Sequence, residues 1–387
     1  MADAAPRLWV ERLTLTDFRN YESATLELGP EPVVLAGANG SGKTNLLEAV
    51  SLLAPGQGLR RAAYADIARA SGDGSWSVAA KVHTDLGAVD IGTGIAAGGD
   101  NAPGRIVRID GVTKQGSGIL ADYVEVAWLT PAMDGLFTGA GSERRRFLDR
   151  LILCFDAEHG RRASRFERAM QQRNRLLSDD VRDHARFQGL EDVMAETGVA
   201  IAAARAEAAA ALGAISERRR ARDQASAFPW AVIAVEGTLE ANLRSMPALD
   251  VEERYKAALR TGRERDRAAG RTLEGPHRSD LVVEHGPKAM PARLCSTGEQ
   301  KALLLGLVLS HAELTAERQS GRAPILLLDE VTAHLDAARR AALFQEILAI
   351  GTQAWMTGTD AEAFSALGNR ARFVTVDEGR TGIMSRR

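Results

Sequence analysis

Eight consecutive residues carry the chemistry most plainly. Gly37-Ala38-Asn39-Gly40-Ser41-Gly42-Lys43-Thr44 follow the apolar run Val33-Val34-Leu35-Ala36 and precede Leu46-Leu47-Glu48-Ala49-Val50. Glycines let such a loop curl until successive backbone N–H groups face one anion, and a helix beginning at its end adds the positive pole of its dipole. A nucleoside triphosphate, ATP or GTP, is the guest this strand–loop–helix order predicts, with Lys43 on the outer phosphates and the Thr44 hydroxyl on Mg2+.

A second set of acids lies far along the chain. Ile325-Leu326-Leu327-Leu328-Asp329-Glu330 is four apolar residues followed by two carboxylates. A strand this greasy is expected to be buried on both faces and to deliver its acids at its C-terminal end, where open α/β sheets bind ligands. Asp329 is expected to hold Mg2+ with Thr44, and Glu330 to polarise the attacking water as general base. In Phe18-Arg19-Asn20, an arginine at a strand-to-turn junction can make charge-assisted bonds to phosphate with Asn20 in support, or can belong to a solvated turn. Arg60, Arg61 and the cluster Arg144-Arg145-Arg146 are the candidates for contact with a nucleic acid, and the cluster, flanked by Glu143 and Asp149, reads rather as a solvated or salt-bridged helix face.

The elements that must position these groups follow from periodicity. Residues 8 to 36 alternate as strands, with Gly29-Pro30 as a turn before the strand that feeds the loop. From about 75 to 128 the pattern stays β-rich and broken by glycine, as at Gly98-Gly99-Asp100-Asn101. From about 142 to 270 it becomes helical, and strong helix formers fill Val199 to Arg222. The α/β character then returns, with a strand at Leu281-Val282-Val283 and a helix from Lys301 to Ala316. The expected division is a nucleotide-binding domain in two parts, residues 1–141 and 271–387, interrupted by a helical domain at 142–270.

Composition bounds the class. The 387 residues are 45% hydrophobic with a formal charge of −2, so a DNA site must be a local patch. Two cysteines, Cys154 and Cys295, provide neither a disulfide framework nor metal-ligand spacing. The first residues, Met-Ala-Asp-Ala-Ala-Pro-Arg, lack a basic head followed by an apolar core. A cytoplasmic location without a membrane partner is the expectation.

Ser296-Thr297-Gly298-Glu299-Gln300-Lys301 distinguishes this chain from other phosphate-loop proteins. Alone, it reads as a helix N-cap with Glu299 nearby. In register with the two motifs above and with Ala333-His334-Leu335-Asp336, it resembles the signature of ATP-binding-cassette ATPases followed by their D-loop. The resemblance implies that Ser296 and Gly298 N–H groups meet the γ-phosphate held by a second protomer.

Further blocks narrow this. Leu13 to Tyr21, Thr44-Asn45-Leu46-Leu47-Glu48-Ala49, Gly58 to Ala62, Ser142-Glu143-Arg144-Arg145-Arg146-Phe147-Leu148-Asp149, Gly275-Pro276-His277-Arg278-Ser279-Asp280-Leu281 and Cys295 to Gly306 are similar to the RecF family of bacterial recombination mediators. That likeness implies an α/β fold: an ABC-type P-loop ATPase head, with a mixed sheet and flanking helices, carrying an inserted helical arm. It adds Asn45 to the nucleotide site. It further implies ATP-dependent homodimerisation, weak DNA-stimulated hydrolysis, binding at gapped DNA, and cooperation with RecR and RecO in loading RecA. Two departures stand out: Val126 to Pro131 lacks the Q-loop glutamine of cassette ATPases, and Met356-Thr357-Gly358-Thr359-Asp360 lacks their late histidine. A transporter ATPase should show both. A condensin-type chromosome protein needs a far longer coiled coil than an insert of this size allows.

Overall fold

The computed structural model describes residues 8–98, 104–179, 181–222, 228–333 and 335–383. The expected turn residues Gly99-Asp100-Asn101, the opening Met1 to Arg7, and His334 of the D-loop lie outside them. The chain divides into two compact units, one holding the chain up to Asp134 and from Thr297 onward, the other Gly135–Asp223 and Pro229–Ser296.

The first unit is built on two sheets. One is antiparallel in the order β2-β1-β4-β5-β6-β7, from β1 (Trp9–Phe18), β2 (Tyr21–Glu27), β4 (Trp76–Thr84), β5 (Gly87–Ile95), β6 (Ile106–Ile109) and β7 (Val112–Lys114). The other runs β15-β14-β3-β13-β12-β8, from β3 (Val33–Ala36), β8 (Val126–Leu129), β12 (Ile325–Leu328), β13 (Ala354–Gly358), β14 (Arg372–Asp377) and β15 (Arg380–Ile383). Its pairings are parallel except for the β14–β15 hairpin. The central strands β3, β12 and β13 are buried throughout, which is why β3 and β12 are continuous apolar runs rather than alternating ones and β13 is apolar up to Thr357. Helix α1 (Lys43–Ser51) places Leu46, Leu47 and Val50 in the core that also holds Leu13, Leu15, Phe18, Trp76 and Trp355. Packing from both sheets therefore fixes the helix that opens at the phosphate loop. Helices α8 (Thr297–Arg318) and α9 (Ala337–Ile350) complete this unit.

The second unit contains α2 (Gly141–Ile152), α3 (Glu158–Ser178), α4 (His184–Arg222), α5 (Thr238–Leu243), α6 (Ala248–Thr261) and α7 (Arg263–Ala269). It also contains a three-stranded antiparallel sheet, β11-β10-β9, from β9 (Ala231–Glu236), β10 (Asp280–His285) and β11 (Met290–Pro291). The expected boundary at 270/271 therefore moves. Residues 271–296 belong with the helical unit because β10 takes its full register from β9, a strand inside the stretch expected to be all-helical. Helix α4 is apolar and long enough to cross a membrane by composition. Its Met194, Ala195, Ala202, Ala208 and Leu212 are instead buried within the unit, alongside charged Glu191 and Arg205.

Candidate nucleotide-binding site

Glycine is demanded at three points around the phosphate loop. Gly40 and Gly42 have φ of +82° and +115°, a region that side chains disfavour. A Cβ at Gly42 would also stand 2.6 Å from Asn20 Nδ2 and 2.7 Å from the Tyr21 hydroxyl, and one at Gly37 would stand 2.1 Å from the Val376 carbonyl oxygen. The loop is braced from both sides. Asn20 Nδ2 and the Gly379 N–H donate to the Ser41 carbonyl at 3.0 and 3.2 Å, and the Tyr21 hydroxyl donates to the Gly42 carbonyl at 3.0 Å.

Inside this frame Lys43 is buried, and its Nζ donates to the Gly37 and Ala38 carbonyls at 2.7 Å each. Burial pulls its ammonium below the ordinary lysine value, against the raising influence of Glu330 and Asp329. Ser41 Oγ is buried with no hydrogen-bond partner among the described residues. A partnerless hydroxyl and a lysine in a glycine-shaped loop that opens helix α1 fit an anionic guest.

The second half of the site arrives from 285 residues away. Thr44 Oγ1 donates to both oxygens of Asp329, at 3.0 and 3.1 Å. Strand β12 brings Asp329 there from between β8 and β13, and the Asp329 N–H continues the ladder onto the Leu129 carbonyl at 2.9 Å. Asp329 is buried, whereas Glu330 is exposed and turns the chain at φ +48°. Thr44 and Asp329 together offer hard oxygens of the kind Mg2+ takes from proteins, which is a sparse set completed by water and substrate phosphate. Among the described residues no three His, Cys, Asp or Glu side chains cluster as a metal cage. Thr357, at the end of β13, contacts both acids: its hydroxyl donates to Asp329 Oδ1 at 2.7 Å and accepts the Glu330 N–H at 2.7 Å. Nothing in the sequence marks Thr357, which stands in the segment where a histidine is expected.

Arg19 and Arg60 are tied down beside the site. Arg19, itself at φ +56°, donates to both oxygens of Glu48 at 2.8 and 2.6 Å and to the Asp66 carbonyl at 2.7 Å. Glu48 sits on α1 with 0% exposure, so the guanidinium supplies the partner that a buried carboxylate needs. Those bonds place that arginine in a braced turn rather than a solvated one. Arg60 Nη1 donates to Asn45 Oδ1 at 2.6 Å and to Glu48 at 3.1 Å, while Asn45 Nδ2 donates to Asn20 Oδ1 at 2.7 Å. Asn20 and Asn45 thus support the loop from its side. Arg61 is exposed at φ +56°.

Ser296 and Thr297 are exposed at the N-terminal end of α8, where the first-turn N–H groups of a helix lack intrahelical partners. A Cβ at Gly298 would meet Arg339 Nη1 at 3.9 Å, an ordinary contact distance. Glu299 is half-buried on the same turn. Asp336 caps α9, its Oδ1 accepting the Arg339 N–H at 2.8 Å.

The arginine-rich blocks are structural. Arg144 grips both oxygens of Asp280 at 2.7 Å and donates to the carbonyls of Phe137 and Gly139, and Arg145 donates to the Ser279 carbonyl at 2.6 Å. Asp149 accepts from Arg205 at 2.7 and 2.8 Å and meets His159 at 2.8 Å, while Arg205 also donates to the Pro276 carbonyl. Both blocks thereby knit α2 and α4 to β10 within the second unit. His277 is half-buried, desolvation lowers its pKa, and its Nε2 faces the Thr272 carbonyl at 3.0 Å.

The chain is similar to known proteins over nearly its whole length. The family model for the RecF/RecN/SMC N-terminal domain matches residues 9–381. A Mesorhizobium japonicum protein described as DNA replication and repair protein RecF is 58% identical over 96% of this chain and 97% of its own length. The Brucella suis protein of the same description is 54% identical over 97% of each. In fold, the chain is similar to the recombination mediator RecF solved with ATP, at TM-score 0.83 and 21% identity over the whole of both chains. It is less similar to the Smc head domain of Pyrococcus furiosus, at TM-score 0.55 and 16% identity over 98% of this chain and 96% of that one.

Proposed function

This chain belongs to the RecF family of DNA replication and repair proteins, and on that footing we propose that it is an ATP-switched DNA-binding protein of recombinational repair and replication restart, working in the cytoplasm. The observation that carries the reading is the Thr44–Asp329 contact, which joins the phosphate loop to the acids of β12. In this reading the loop N–H groups of residues 38 to 44 and Lys43 hold the β- and γ-phosphates, and Asn45 and Asn20 keep the loop in shape. Thr44 and Asp329 hold Mg2+, which neutralises charge on the phosphate oxygens when bound. Glu330, exposed beside the fixed Asp329, takes the proton of the attacking water.

Ser296, Gly298 and the α8 N-terminus present donors to the triphosphate of a second copy, with Glu299 and Asp336 at the same seam. Two chains thereby close around two ATP molecules. Closure brings two sets of surface arginines, Arg60 and Arg61 among them, to one gapped duplex. The dimer then works with RecR and RecO to load RecA, and slow hydrolysis opens it.

Sedimentation of the full chain with and without ATP-Mg2+, with gapped DNA added in a second series, tests this. A nucleotide-dependent dimer that takes up DNA is expected. For Ser296→Arg, which sets a bulky group where the partner's phosphate docks, monomer ATP affinity should stay close to wild type while the dimer is lost. A chain that stays monomeric with saturating ATP-Mg2+ contradicts the switch.

A further inference from the structure

Thr357 does two jobs with one hydroxyl. Its single proton goes to Asp329 Oδ1 at 2.7 Å, and its lone pair receives the Glu330 N–H at 2.7 Å. The side chain has 0% exposure, so water cannot replace either bond. Its place in the sheet explains the reach. Strand β13 lies between β3, which feeds the phosphate loop, and β12, which delivers the acids, and Thr357 pairs with Leu35 one register step beyond the Leu328–Met356 pair.

Each bond has a separate consequence. Asp329 otherwise receives only the Thr44 hydroxyl among the side-chain contacts described, and the function proposed above assigns Thr44 to the metal as well. A carboxylate held by Thr44 alone would be free to swing whenever that hydroxyl changed partner. The Glu330 amide belongs to a residue at φ +48°, a conformation that costs energy for a glutamate and persists only where its surroundings enforce it. The hydroxyl of Thr357 is a visible enforcer, and the direction in which the Glu330 side chain leaves the backbone follows from that φ.

We propose that Thr357 is the positioning residue of the hydrolytic site, holding Asp329 in the orientation that receives Mg2+ and locking the Glu330 backbone in the left-handed turn that aims its carboxylate. It stands in the segment that lacks the late histidine of cassette ATPases, and acts on the acids from behind rather than on the phosphate. This inference rests on the function proposed above for Asp329 and Glu330.

The test compares Thr357→Val, which keeps the shape and removes both bonds, with Thr357→Ser, which keeps the hydroxyl. In Thr357→Val the Mg2+ concentration that half-saturates ATP-driven dimerisation should rise about tenfold or more, the size expected for a lost hydrogen bond to a charged acceptor. Turnover at saturating Mg2+ should fall about tenfold as well, while ATP binding in EDTA stays within about twofold of wild type. Thr357→Ser should recover most of the Mg2+ response. A Thr357→Val protein with a wild-type Mg2+ midpoint and wild-type turnover overturns the proposal. A wild-type chain that neither binds ATP-Mg2+ nor dimerises overturns the proposed function instead. A third readout needs no variant: hydrogen exchange of the nucleotide-free wild type should show the Glu330 amide protected, and exchange at the rate of an open loop would also overturn the proposal.

Discussion

The nucleotide site and the ion cluster buried in the helical unit are both polar, and they handle their polar groups in opposite ways. In the cluster every demand is met. Arg173, with 0% exposure, donates to Glu191 at 3.1 Å, Asp266 at 2.7 Å, Thr272 at 2.9 Å and the Leu259 carbonyl at 2.7 Å, and Arg263 closes the other side of Glu191. In the nucleotide site, Ser41 Oγ has no partner among the described residues, Lys43 falls back on its own loop's carbonyls, and Glu330 faces solvent. A saturated network specifies a fold, whereas an unsaturated one inside a rigid frame is ready for a ligand. Substitutions should therefore damage chemistry in one region and stability in the other.

The sharpest separation is expected from Glu330→Gln. The amide cannot accept the water proton, so turnover should fall by about 10²- to 10⁴-fold, the range for a missing general base. Thr44, Asp329 and the loop are untouched, so the ATP-bound dimer should accumulate, and the melting temperature should stay near that of the parent. Steady-state phosphate release with sedimentation checks both halves. Wild-type turnover in this variant removes Glu330 from its role.

Arg173→Met should do the reverse. Methionine leaves Asp266 and part of Glu191 buried without their cation, which costs about 3–5 kcal/mol when one partner of a buried pair is removed. Thermal or urea unfolding should show that loss. A shift below about 1 kcal/mol would mean that Arg263 alone satisfies both acids, and the contrast between the regions would weaken.

How much of each region the sequence disclosed follows the same divide. Walker-type spacing is dictated by phosphate geometry, so residues 37 to 44 and 325 to 330 are readable without a structure. Partners that act through tertiary contact leave no such trace. Thr357 is one threonine in an ordinary strand, and the pairing of Arg19 with Glu48 joins residues 29 positions apart whose charges look solvated in isolation. The missed strand β9 lies among helix formers and makes sense only once β10 is beside it. The same pairing displaced the expected domain boundary at 270/271. Arg144 to Arg146 read as a solvated or salt-bridged face because Glu143 and Asp149 flank them, but the far partners Asp280 and Arg205 are beyond any local pattern.

A smaller effect, again confined to the helical unit, is expected from pH. Burial by itself would raise the Asp149 carboxyl, but donation from Arg205 and His159 brings it down from 3.8 to about 2. A carboxyl depressed in the folded state adds stability that is present above its unfolded value and lost as pH falls through the folded one. The difference corresponds to about 2 kcal/mol. Asp149→Asn should therefore be less stable than the parent by about that amount at neutral pH, and the gap should close between about pH 4 and pH 2. Melting curves of both proteins across this window decide it, and a gap that persists unchanged at pH 2 would show that geometry rather than charge explains the loss.

The smallest effect tests whether the nucleotide site has a second unsaturated face. Arg61 is exposed, and Arg60 is exposed yet bonded to Asn45 and Glu48 beside the phosphate loop. A chain of net charge −2 holds a polyanion through a patch, and each phosphate neutralised adds about 0.7–0.9 to the slope of log affinity against log salt. If both arginines touch phosphates in the closed dimer, Arg60→Ala with Arg61→Ala should flatten that slope by one to a few units, summed over two copies, with ATP present. In its absence the slope should change less, because only one copy then faces the DNA. Arg60→Ala alone carries a further signature: its loss releases Asn45, so the affinity for ATP-Mg2+ should weaken slightly, whereas Arg61→Ala should leave it untouched. Titrations of gapped duplex at several salt concentrations, with and without ATP, separate these outcomes. Equal slopes for the double variant and the parent in both nucleotide states would place the DNA contacts elsewhere and leave Arg60 as a brace of the loop.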